Sequence, residues 1–418
     1  MRPWISSLAV AASLVLASPG LAAPPPASPA PAAIAAAPDA ALDAPMAARL
    51  DKVVDTALAE HRLVGTVVLV ARDGKLVYHR AAGLADRESG RRMREDAVFR
   101  FSSVTKPFVS VAVMKLVEDG KLRLDDPVTR WLPDFKPKLA DGTAPVITLR
   151  QLLNHTSGLT YGLAEAPSHP YHRLGVSDGI DLSGISLDEN IRRLGQAPLA
   201  FPPGSRWRYS LAIDVLGAVV EKATGKPLPQ VVAETVTTPL GLADAGFVAR
   251  DPARLATPYV NAQPEPTRMT DNQDVPLGPT AVRFAPSRAT DKTAFPSGGA
   301  GMVGTAGDVL ALLETVRKGG APILKASTVA QMMKDQVGPQ AATQGPGWGF
   351  GYGWAVLDDP AVAKTPQAAG TIAWGGVYGH NWFVDAKAGL TVVIMTNTAF
   401  EGMNGPFTTQ VRDAVYGR

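Results

Sequence analysis

Runs of β-branched and aromatic residues stand at both ends of this 418-residue chain, while helix-forming segments occupy its middle. Near the start, VGTVVLVARDGKLVYHRAAG from Val64 reads as two β-rich runs joined at Arg72–Asp73–Gly74. Asp-Gly between apolar runs is a strong hairpin signal. Near the end come GYGWAVL, TIAWGG, HNWFVD and LTVVIMTN, each bounded by Gly, Asp or Asn. This order predicts an α+β chain: one antiparallel sheet assembled from both ends, with a mainly helical region inserted between.

The helical segments have readable ends. Met46, Leu50, Val53, Val54, Ala57 and Leu58 recur at helical spacing over residues 45–61. Thr148–Leu149–Arg150–Gln151, Ser186–Leu187–Asp188–Glu189 and Thr305–Ala306–Gly307–Asp308 have capping-box spacing, in which the first side chain satisfies an orphan amide. Gly225 and Gly319 sit where a left-handed residue stops a helix. Residues 260–297 are rich in Pro and Asn with little periodicity and read as a long excursion. A last amphipathic helix is expected from about Gly405. No internal repeat is visible.

The first residues, MRPWISSLAVAASLVLASPGLAA, carry Arg2, then an apolar stretch, then small residues. Gly20–Leu21–Ala22 fits cleavage before Ala23, so residues 1–22 read as a Sec-type bacterial signal peptide and the mature chain as periplasmic or secreted. The stretch is too short for a comfortable membrane span, so no stable membrane insertion is expected after cleavage. Residues 23–44 form an Ala/Pro-rich tether. There are no cysteines, which removes disulfides, thiolate catalysis and Cys-ligated zinc. Net charge is only +3 and no basic stripe is present, which disfavours nucleic acid as a partner.

The chemistry centres on FSSVTKPF, residues 101–108. A serine hydroxyl needs a base to become a nucleophile near neutral pH. At i and i+3 on a helix, Ser103 and Lys106 share one face, one turn apart. A helix start there surrounds the hydroxyl with free amides and a positive dipole end, which favour an oxyanion and disfavour a charged lysine. Partial burial lowers the lysine further toward the range of a base. Pro107 disfavours helical geometry at Lys106, so an irregular first turn or a later start is expected. Taken alone the tetrapeptide equally fits an ordinary capped helix that contains a lysine.

A rival serine stands in Gly175–Val176–Ser177–Asp178–Gly179, which matches the Gly-x-Ser-x-Gly elbow. That elbow needs a buried strand before it and a helix after it. SHPYHRL and IDLSGIS provide neither, so the match reads as a decoy. His169 and His172 make a poor metal site in a Pro-containing loop, and His155 reads as a structural histidine. No metal and no cofactor are inferred.

Four ordered segments together are more specific. FSSVTKPF, LLNHTSGL, PPGSRWRYS and SGGAGMVGTAGD resemble, in this order, the serine β-lactamase and D-alanyl-D-alanine peptidase superfamily, in its class C-related branch, most of all the family VIII carboxylesterases. The resemblance implies a β-lactamase/transpeptidase-like fold over residues 45–418, with a sheet subdomain at about 45–125 and 300–418 and a helical subdomain at about 126–299. It implies Ser103 as the acylated serine and Lys106 as its base. Tyr209 then matches the family tyrosine, acting in or near its phenolate form. It further implies an oxyanion hole from the amides of Ser103 and Val377, and a substrate-binding strand motif at Trp374–Gly375–Gly376, expected on an edge strand. Leu211 stands where the family has an asparagine that contacts substrate.

These departures bear on substrate. Trp374 has no charge to hold a carboxylate and presents an apolar face, and Leu211 removes an amide partner. The expected activity is therefore cleavage of short carboxylic esters through an acyl-enzyme. The alternatives are a β-lactamase or D,D-carboxypeptidase on the same fold, or a non-catalytic protein that binds cell wall or a partner. The expected partner is a small-molecule ester or β-lactam.

Overall fold

The computed structural model describes residues 43–418, so the signal-peptide reading and nearly all of the Ala/Pro tether lie outside the described residues. The first element, α1 (Ala44–Ala59), is followed by the expected hairpin, β1 (Gly65–Arg72) and β2 (Lys75–Asp86), and by the short β3 (Arg91–Arg92). Helices α2 (Thr105–Glu118), α3 (Leu149–Leu153), α4 (Leu187–Gln196) and α5 (Ala212–Thr224) belong to the middle of the chain. The return to the sheet runs through α6 (Ala306–Arg317) and five strands to α7 (Pro406–Tyr416).

The 260–297 excursion holds a two-stranded hairpin, β4 (Gln273–Leu277) and β5 (Thr280–Phe284), which its composition concealed. Val275, Val282 and Phe284 alternate with polar neighbours, but Pro276 and the Gly278–Pro279 turn mask the period. Its buried residues pack with Ile180, Val377 and Tyr378 into a small separate cluster.

The remaining strands are β6 (Trp348–Phe350), β7 (Ala355–Leu357), β8 (Ile372–Gly376), β9 (His380–Asp385) and β10 (Leu390–Thr396). The large sheet has eight strands in the order β6-β7-β8-β9-β10-β1-β2-β3, all antiparallel. Its centre joins the two chain ends, with Thr66 opposite Thr396 and Arg72 opposite Leu390.

The continuous apolar run in β1 follows from burial on both faces. Val67 and Leu69 point into the main core with α2, α5 and α6. Val68 and Val70 point the other way, against Leu50 and Val54 of α1 and Phe407 and Val411 of α7. Each such side chain contributes about 1.5–3 kcal/mol. Thr148 and Thr305 both close reciprocal capping boxes; Ser186 accepts the Glu189 amide alone.

Candidate active site

Ser103 sits in a turn of 3-10 helix, Ser102–Val104, that runs directly into α2. This is the irregular start that Pro107 demands. Ser102 before it has φ +43°, a left-handed backbone that costs a side chain of order 1–3 kcal/mol and persists only where the surroundings impose it. The imposing neighbour is the end of β8: a Cβ on Gly376 would lie 2.4 Å from the Phe101 carbonyl oxygen and 2.6 Å from Ser102 Oγ. Only a glycine there lets the strand press against the turn.

The opposite wall is the SGGAGM loop. The Met302 amide donates to Thr105 Oγ1 at 3.0 Å, and the Phe101 amide donates to the Met302 carbonyl at 2.9 Å. The loop is thereby tied to the base of α2, and Gly299 lies beside Lys106. A third wall comes from two irregular segments laced together. The Arg208 amide donates to the His155 carbonyl and the Leu211 amide to the Thr160 carbonyl, which sets Tyr209 beside Tyr161. Their ring centroids are 5.1 Å apart.

Lys106 stands where these walls meet, with no exposed surface. Its Nζ lies 2.8 Å from the Gly299 carbonyl oxygen, 2.9 Å from the Tyr161 hydroxyl and 3.4 Å from Ser103 Oγ. All three partners are uncharged. Burial pushes the ammonium down to about 7, against the pull of the Asp214 and Asp178 carboxylates. A neutral amine has two N–H donors and one lone pair. Gly299 and Tyr161 oxygens take the donors, which leaves the lone pair for the Ser103 hydroxyl.

Tyr209 completes the cluster. Its hydroxyl accepts from Trp374 Nε1 at 3.3 Å, and Lys106 Nζ lies 4.5 Å from the centre of its ring. Burial raises its pKa above the ordinary tyrosine value, which opposes the phenolate form implied by the resemblance. Burial raises Tyr161 well above the ordinary tyrosine value too. Among these groups the lysine is the one that titrates near neutrality.

Other expected site residues are placed as follows. Trp374 packs against the rings of Tyr209 and Phe350 at 5.0 and 5.3 Å. Its strand β8 is third from the sheet edge, not the edge strand expected, but β7 pairs only with Ile372 and Ala373. Trp374, Gly375 and Gly376 therefore keep an edge's unpaired side without being on the outer strand. Val377 follows directly. Leu211 is fully buried in the main core at the start of α5, so its side chain does not line a substrate cleft as expected. His155 is buried with Nδ1 3.1 Å from Ser210 Oγ and with its ring against Tyr209, a structural placement. Ser177 is buried and donates to the Asp181 carboxylate within its own turn while accepting the Gly179 amide, and neither a lysine nor a histidine bonds to its hydroxyl.

Sequence reasoning missed Tyr161, Gly299 and Asp214. Asp214 is fully buried on the first turn of α5 and accepts from Ser297 Oγ at 2.6 Å. A buried carboxylate in an otherwise apolar helix start, three residues past Leu211, was the available signal.

The Beta-lactamase family model matches residues 50–416. "Esterase EstB" of Burkholderia gladioli is 60% identical over 379 residues, covering 90% of this chain and 96% of that protein. The solved structure of "EstCE1, a hydrolase with promiscuous acyltransferase activity" superposes with a TM-score of 0.89 at 52% identity, over 90% of this chain and 100% of that one. The octameric penicillin-binding protein homologue from Pyrococcus abyssi, at 20% identity and a TM-score of 0.67, shares the fold over 88% of this chain and 76% of its own.

Proposed function

Because this chain belongs to the Beta-lactamase family, we propose that it works as a serine carboxylesterase, cleaving short-chain esters through an acyl-enzyme on Ser103. One observation carries the reading: the buried Lys106 amine, held by neutral partners, lies 3.4 Å from Ser103 Oγ. Lys106 takes the Ser103 proton as Oγ attacks the ester carbonyl. The resulting oxyanion is held by the amides of Ser103 and Val377, and each such donor is worth about 10²–10³ in rate. Tyr209, a neutral phenol, donates its proton to the leaving alkoxide and is reprotonated from Lys106 through Tyr161. Water then enters, and the same groups run in reverse to release the acid and restore Ser103. General-base assistance of this kind contributes about 10²–10⁴.

The substrate class follows from the lining. Tyr209 packs against Trp374, with Phe350 and Trp207 continuing the aromatic cluster behind it, and the strand motif carries no cation. This environment suits an uncharged ester better than a carboxylated amide. The signal read in residues 1–22 supports a periplasmic or secreted site of action, and among the described residues no helix is long and apolar enough to cross a membrane.

The test is hydrolysis of p-nitrophenyl butyrate and of nitrocefin by wild type and Ser103→Ala, with a phosphonate adduct mapped by mass spectrometry. Ester turnover exceeding nitrocefin turnover, lost in Ser103→Ala, with the adduct on Ser103, is expected. Dominant nitrocefin turnover would make it a β-lactamase. An adduct elsewhere, or equal and negligible turnover by both proteins, would overturn the assignment.

A further inference from the structure

The segment that imitates a nucleophile elbow is built as a rigid turn. The Ser177 amide donates to Asn190 Oδ1 at 2.8 Å, and Asn190 Nδ2 donates back to the Ser177 carbonyl at 3.0 Å. Asn190 is fully buried on α4. Ser177 Oγ donates to Asp181 and accepts the Gly179 amide at 3.1 Å, so the serine spends its hydroxyl inside the turn. Gly179 in turn abuts Ser297, the partner of Asp214. What the turn presents outward is the carboxylate of Asp178.

That carboxylate takes two backbone donors from a different segment. The Gly162 amide donates to one oxygen at 2.8 Å and the Leu163 amide to the other at 2.7 Å. These are the two residues after Tyr161. A Cβ on Gly162 would lie 3.0 and 3.2 Å from the two Asp178 oxygens, so the absence of a side chain there is what admits the bidentate contact. Tyr161 itself carries the hydroxyl that holds Lys106 Nζ at 2.9 Å.

From this chain of contacts we infer that Asp178 is a positioning residue for the reaction: by clamping the Gly162 and Leu163 amides it fixes the Tyr161 hydroxyl on Lys106 and thereby aims the lysine lone pair at Ser103. Burial, with the Asp181 and Asp214 carboxylates, pushes Asp178 up to about 7 against the pull of its two backbone donors, and Lys106 is the cation that shares its field. Its far side borders a cleft of about 760 Å³ walled by Leu163 and by Val282 of β5. An asparagine at 178 retains one acceptor but sets an N–H₂ donor against the second amide. An alanine at 162 leaves the carboxylate intact and pushes it away from the other side. Geometry near a reacting centre is unforgiving, and a displacement of about 1 Å can cost about 10²-fold.

The inference rests on the esterase reading, and its test separates the two. With p-nitrophenyl butyrate as substrate, Asp178→Asn and Gly162→Ala are each measured in the wild-type background and again in Tyr161→Phe. Both single variants are expected to lose about 10- to 100-fold in kcat, and to lose less than threefold more once the Tyr161 hydroxyl is already gone. A wild type without ester turnover sinks the esterase reading. An active wild type whose Asp178→Asn keeps its kcat sinks the positioning role. So does a loss that is equally large in Tyr161→Phe, which would be structural. A raised KM with unchanged kcat would place Asp178 in contact with substrate across the cleft and equally overturn the role. Gly162→Ala decides the matter should Asp178→Asn fail to fold.

Discussion

Replacing Asp214 by asparagine should shift the acid limb of the pH–rate profile to lower pH. Asp214 and Lys106 flank Gly299: a Cβ built there would lie 2.5 Å from an Asp214 carboxylate oxygen and 3.4 Å from Lys106 Nζ. The two groups are therefore no more than about 6 Å apart. At an effective dielectric of about 20, a unit negative charge at ~6 Å favours the ammonium by about 3 kcal/mol, or about two pK units. The sign follows from which form works. A negative neighbour raises the lysine pKa, the base is the free amine, and removing the charge leaves more amine at any given pH. The wild-type limb should fall near the lysine value of about 7, and that of Asp214→Asn about one to two units lower. Asparagine keeps an acceptor for Ser297 Oγ, so the fold should survive. The assay is kcat/KM for p-nitrophenyl butyrate at roughly pH 5 to 9, read at the isosbestic wavelength of p-nitrophenol. A limb that stays put or moves upward in a folded variant would refute Lys106 as the titrating base or Asp214 as its charged neighbour.

Two further substitutions probe the other walls. Trp374→Phe keeps an aromatic ring but removes the donor to the Tyr209 hydroxyl; one hydrogen bond of about 0.5–1.5 kcal/mol predicts a two- to tenfold fall in kcat/KM. Gly376→Ala forces β8 off the Phe101–Ser102 turn, where its Cβ would meet a carbonyl oxygen at 2.4 Å. The rate of phosphonate labelling at Ser103 should drop by about 10²-fold, far more than any change in melting temperature would account for.

What was legible beforehand follows from the range over which each signal acts. The Arg72–Asp73–Gly74 hairpin, the Thr148 and Thr305 capping boxes and the Ser103–Lys106 spacing are each encoded within a few residues, and each is found in place. Tyr161 and Gly299 reach Lys106 from 55 and 193 residues away, and nothing local distinguishes them from other tyrosines and glycines. The β4–β5 hairpin was hidden because a proline interrupts the first strand's alternation. The phenolate implied at Tyr209 is opposed by a factor no motif carries: its charge would have to form where burial removes water. The side chain of Leu211, which stands where the resemblance has an asparagine, turns into the core.

The central pairing of β1 with β10 also sets an order of events during synthesis. The Thr66 hydroxyl donates to the Met395 carbonyl across a sequence separation of 329 residues. At ~5–20 residues per second, a ribosome needs roughly 16–65 s to cover that distance. Throughout this interval the nascent hairpin of β1 and β2 has one sticky flank with no partner yet translated, an invitation to mispairing between chains. Acquisition of the native topology must wait until the last tenth of the chain is at hand, and holdase protection of the N-terminal hairpin before and during export should raise the yield of active protein.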